Sequence, residues 1–109
     1  ARRVGNIARK NRKTGDVDSA LLKEQTERVL NRKLIDISWK VNSHAVDGDF
    51  PSALKLLVGF REHIDMFFED VLVMDHDEKI RDNRLKLLSK IDGLYRKVAD
   101  FTKFATEGE

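Results

Sequence analysis

Cysteine is absent from the 109 residues, and proline and tryptophan occur once each. The missing cysteine excludes disulfide frameworks, thiolate zinc sites and a cysteine nucleophile. It fits a reducing cytoplasm, the expected location. No apolar run approaches the roughly 20 residues that span a bilayer, and no signal-peptide layout is present. A membrane partner is therefore not expected. The six glycines, at 5, 15, 48, 59, 93 and 108, are scattered and form no phosphate-binding loop. Ser19, Ser38, Ser43, Ser52 and Ser89 lack the context that activates a nucleophile. His44, His63 and His76 show no metal-binding spacing, and Asp75-His76-Asp77 reads as a capping turn rather than a metal site. The expectation is no catalytic residue, no metal and no cofactor in this chain.

A length of 109 residues suits one domain, residues 1–109, with a single modest core. The chain opens on Ala1 inside a basic helical pattern instead of on a methionine, so it reads as a fragment of a longer protein. Net charge is only +2, but it is unevenly spread. Residues 1–13 carry six basic side chains (Arg2, Arg3, Arg9, Lys10, Arg12, Lys13) and no acidic one. A local basic patch on a near-neutral body suits a polyanion partner; the plain alternative is a solvated helix end.

Periodicity predicts an all-α fold, a helical bundle of about four helices with two long and antiparallel. The first helix, residues 1–11, has Val4, Ile7 and Ala8 on one face. The second is capped by Ser19 and runs to 45, with Leu22, Val29, Leu30, Leu34, Ile37, Val41 and Ala45 as its stripe. Asp47-Gly48-Asp49 is a turn. The third, residues 51–70, is expected to bury Ala53, Leu54, Leu57, Val58, Ile64, Phe67 and Phe68, with a kink or close packing at Gly59. Residues 71–74 read as a buried connector. The fourth, residues 77–104, turns Ile80, Leu87, Leu88, Ile91, Leu94, Tyr95, Val98 and Phe101 inward. The second and fourth have about 27 residues each, roughly 40 Å.

Three features of these helices bear on binding. The polar side of the first helix offers Arg2, Arg3, Asn6, Arg9, Lys10 and Lys13. Guanidiniums grip phosphates, and an amide that both donates and accepts distinguishes base edges. On the fourth helix, Arg84 lies near the apolar stripe and should be structural, paired with Asp65, Glu69 or Asp70. Asn83 is expected to cap the connector backbone rather than face RNA. The Phe67-Phe68 pair reads as a core anchor rather than a base-stacking platform. Trp39 sits off the main stripe, a contact for a neighbouring domain.

The run 64–88 holds Ile64-Asp65-Met66-Phe67-Phe68-Glu69, then Val71-Leu72-Val73-Met74, then Arg81-x-Asn83-Arg84-Leu85-x-Leu87-Leu88. With Arg3-Val4-Gly5-Asn6-Ile7 and Val98-Ala99-Asp100-Phe101, it resembles the C-terminal anticodon-binding (DALR-like) domain of the bacterial glycyl-tRNA synthetase β subunit. Departures are few: Leu72 for a common Met, Glu69 for a common Asp, and no strong match over residues 14–18. The resemblance implies a non-catalytic domain of a glycine–tRNA ligase that binds the anticodon stem-loop of tRNA-Gly. The parent would be an α2β2 enzyme whose α subunit uses ATP with Mg and whose β subunit contains this domain. Glycine anticodons end in two cytosines, and each cytosine edge needs donors beside an acceptor. Arg3, Asn6, Lys10 and Lys13 are the candidate RNA-binding residues, with Arg81 at the start of the fourth helix. The alternatives are a helical protein-interaction module without RNA contact, or the equivalent domain of an arginyl-tRNA synthetase. The pattern at 101–109 disfavours the latter.

Overall fold

The computed structural model describes residues 2–107, and side chains over 3–103. Ala1, Gly108, Glu109 and the side chain of Arg2 lie outside that description, as does part of the C-terminal pattern. Four helices follow one another: α1 (Arg2–Lys10), α2 (Gln25–Val46), α3 (Phe50–Asp70) and α4 (Glu78–Glu107), with a 3-10 turn at Ser19–Leu21. No strand occurs among the described residues. The expected all-α bundle is present, but the second helix starts later than its periodicity suggested. Asp18, not Ser19, caps the 3-10 turn by accepting from the Ala20 N–H at 2.9 Å. Glu24 then caps α2 in a reciprocal box with Glu27. That leaves α2 and α3 nearly equal, at 22 and 21 residues, and α4 the longest at 30. At 1.5 Å per residue α4 is about 45 Å long, close to the full 49 Å length of the domain.

The closest helix pair is α2 with α3, an antiparallel hairpin. Its turn uses Gly48 at φ 75°, a conformation cheap only for glycine. Asp49 caps α3 by accepting from the Ser52 N–H at 3.2 Å and the Ser52 hydroxyl at 2.6 Å. These bonds hold the Asp49 carboxyl below its ordinary range, with a smaller contribution from His44. The hairpin buries Glu27, Leu30, Leu34, Ile37 and Val41 from α2 and Ala53, Leu57, Phe60, Ile64 and Phe67 from α3. Both rows step alternately by three and four, the seam spacing of helices crossing at a shallow angle.

That seam corrects several expectations. Leu54 and Val58 flank it and are exposed, while Phe60 takes the buried place. Residues 71–74 alternate, with Val71 and Val73 inward and Leu72 and Met74 outward. Gly59 lies within the continuous α3 helix and does not pack closely, since a methyl added there meets nothing within 4 Å. Gly59→Ala is therefore expected to stabilise the fold by about 0.5–1 kcal/mol, read as a higher urea midpoint. A lower midpoint would show a tight contact at that position. Glycine there is simply a weak point.

Candidate nucleic-acid interface

Helix α1 is short for a stable isolated helix and depends on packing. Val4, Gly5 and Ala8 are buried against α4, and Arg3, Asn6, Arg9 and Lys10 remain exposed. At 100° per residue, Arg3 and Lys10 lie on one flank, Arg9 on the other, and Asn6 at the outer pole. Arg3 stacks its guanidinium 4.1 Å from the centre of the Phe68 ring, a contact that limits its rotamers. Phe68 is only half-buried and meets Phe67 edge-on at 5.4 Å. Of the expected core pair, one ring is core and the other carries an arginine. Asn6 Oδ1 accepts from Arg9 at 2.9 Å, which leaves its own amide hydrogens free to donate.

After α1 the chain crosses α4. The Lys13 N–H donates to Ser89 Oγ at 3.4 Å, and Gly15, at φ 108°, passes beside the Lys86 side chain. Asn83 then clamps the loop from both sides, accepting from the Asp18 N–H at 2.7 Å and donating to its carbonyl at 3.0 Å. Asn83 therefore holds residue 18 rather than the 71–77 connector. This crossing brings two of the predicted residues together. Lys13 Nζ lies 3.8 Å and Arg81 Nε 3.9 Å from the same oxygen, Asp82 Oδ1. Arg3, Asn6 and Lys10 form one group and Lys13 with Arg81 a second.

Arg84 is structural, as expected, but with other partners. It donates to Glu27 at 2.8 Å and to the Leu72 carbonyl at 2.6 Å, with Asp75 at 3.5 Å. Asp65, Glu69 and Asp70 are exposed on α3; Arg84 instead faces the first turn of α2 and the connector. Asp75 and Asp77 also cap the entry to α4 through backbone N–H groups. No group of three potential metal-ligating side chains occurs among the described residues.

The model of the DALR anticodon binding domain family matches residues 1–102. This chain belongs to that family. It is 43% identical over 102 residues to the glycine–tRNA ligase beta subunit of Sulfurihydrogenibium sp., covering 94% of this chain and 15% of that protein. It is 42% identical over 105 residues to the glycine–tRNA ligase beta subunit of Ralstonia nicotianae, with 95% and 15% covered. The beta subunit of Natranaerobius thermophilus is 39% identical over 100 residues, with 92% and 14% covered. The chain spans about 15% of the length of these relatives.

In this DALR domain the run from Arg81 to Leu88 is mostly architecture. Asn83 fixes the first loop, Arg84 ties α2 to the connector, and Leu85, Leu87 and Leu88 are core. Of its polar residues, Asn83 and Arg84 are buried, whereas Arg81, Asp82 and Lys86 are partly exposed. Phe68 was missed as a support for Arg3 because apolar helical phase gives no sign of which ring reaches the surface. No helix of the described residues is long and apolar enough to cross a membrane.

Proposed function

We propose that this DALR domain is part of a glycine–tRNA ligase β subunit and selects tRNA-Gly by gripping its anticodon stem-loop with α1. The observation carrying this is the division of α1: one face docks on α4, and the other offers Arg3, Asn6 and Lys10 to solvent. Sequence-specific proteins read RNA mostly at splayed bases of loops, through amide and guanidinium groups. A cytosine edge presents acceptors at O2 and N3 and a donor at N4. Asn6 can donate to N3, while its oxygen, already taking one bond from Arg9, has a second lone pair for N4. Arg3 is restrained over Phe68 as a second donor, and Lys10 serves as a phosphate contact.

The relatives' names favour glycine over arginine as the cognate amino acid. By this reading the parent is a cytoplasmic α2β2 enzyme, and ATP and Mg belong with its α subunit. The described residues here offer neither a phosphate loop nor a metal-ligand cluster to hold them. Trp39, 77% exposed beside exposed Ile35, favours an additional protein contact with the rest of the enzyme.

Filter binding with tRNA-Gly and an anticodon-swapped tRNA tests the proposal. Lys10→Ala should weaken both RNAs alike and flatten the salt slope by about one unit. Arg3→Ala and Asn6→Ala should each shrink the preference for the cytosine anticodon by about 1–3 kcal/mol. If all three variants discriminate like the parent chain, the contact moves to Lys13 and Arg81 around Asp82. Affinity indifferent to salt would favour the protein-interaction module instead.

A further inference from the structure

A groove of about 290 Å³ lies between α1 and α4, on the flank of α1 opposite Arg3 and Lys10. Arg9 and Arg12 line it from the α1 side, and Ser89, Asp92 and Arg96 from α4. The sequence pattern already placed Arg9 and Arg12 in the basic patch, but Arg96 joins them only through helix packing. Three guanidiniums face one carboxylate, so the lining is net positive. Asp92 accepts from Arg96 Nε at 2.9 Å, which orients that side chain and leaves its terminal nitrogens unengaged. Arg12 makes no hydrogen bond or ion pair among the described residues. The helices close over Gly5, where an added Cβ would stand 3.3 Å from Asp92 Oδ1 and 3.5 Å from an Arg9 nitrogen. Across the groove, Gly93 has nothing within 4 Å of a Cβ position, so the cleft is open to a ligand there. Ser89 Oγ accepts from the Lys13 N–H and keeps its own proton to donate.

The geometry points to a phosphodiester site: Arg9, Arg12, Arg96 and Ser89 hold backbone phosphates of an RNA strand that straddles α1. Forked guanidiniums and a hydroxyl match phosphate oxygens, and Arg9 links the groove to Asn6 at the pole of the helix. This rests on the RNA-binding function proposed above, and it adds a positioning contact that carries no sequence information.

The test titrates the 109-residue chain with tRNA-Gly and the anticodon-swapped tRNA across a range of salt. Arg12→Ala and Arg96→Ala should each flatten the salt slope by about one unit for both RNAs, leaving the anticodon preference unchanged. Gly93→Glu, which adds a carboxylate to the groove without removing any packing, should weaken both RNAs severalfold. Gly93→Ala should not. Parental slopes in both arginine variants, with parental affinity in Gly93→Glu, overturn the groove while leaving the function intact. Absence of salt-dependent RNA binding by the parent chain overturns both. Inorganic phosphate at matched ionic strength should displace RNA no better than chloride; stronger displacement would overturn the strand assignment in favour of a small-anion site.

Discussion

Arg84→Met is expected to destabilise the domain by about 3–5 kcal/mol, measured by urea unfolding. The Arg84 side chain is 5% exposed and that of its partner Glu27 is 0% exposed. Removing the cation leaves a carboxylate in the seam with one remaining protein donor, the Glu24 N–H at 3.1 Å. It also releases the Leu72 carbonyl. Such a charge cannot reach water without opening the start of α2, so the desolvation cost appears in full. The loss belongs to the orphaned charge rather than to the pair. Arg84→Met combined with Glu27→Leu should therefore recover most of it, because both sites accept apolar side chains of similar volume. What is not recovered reflects the α2 capping box and the Leu72 carbonyl. A loss under about 1 kcal/mol for Arg84→Met alone would mean that Glu27 finds water in the native fold.

Phe60→Ala should cost a comparable amount, about 3–5 kcal/mol, by a different mechanism. Phe60 is fully buried at the middle of the α3 seam. Truncating it removes a large apolar transfer contribution and leaves a cavity that two packed helices can close only partly. Val58, two residues earlier and 75% exposed, is the matched control. Val58→Ala should change stability by less than about 0.5 kcal/mol. Equal losses for the two variants would place the α3 seam on the wrong face. With total stability typically about 5–15 kcal/mol, the Phe60 variant should still be measurable.

The sequence by itself determined the helical class, the α2–α3 turn and most of the core. Those follow from local rules: apolar spacing of three and four, a glycine that takes positive φ, and a carboxylate that caps. It also marked the solvent side of α1, because Val4 and Ala8 define the face opposite Arg3, Asn6 and Lys10. On α3 the apolar stripe is wider than the seam, so periodicity admitted Leu54 and Val58 and passed over Phe60. Only the approach of α2 selects one row from that stripe. Pairings at long sequence separation were likewise decided by tertiary structure. Arg84 finds Glu27 across 57 residues, and Asn83 finds Asp18 across 65. Asp65, Glu69 and Asp70 were nearer in sequence, but helix phase turns them outward. The same holds for the basic surface. Lys13 meets Arg81 at Asp82, and Arg9 and Arg12 face Arg96, because α1 and its loop lie across α4. Local pattern fixes which side of a helix is polar; the packing of helices decides which polar sides share a site.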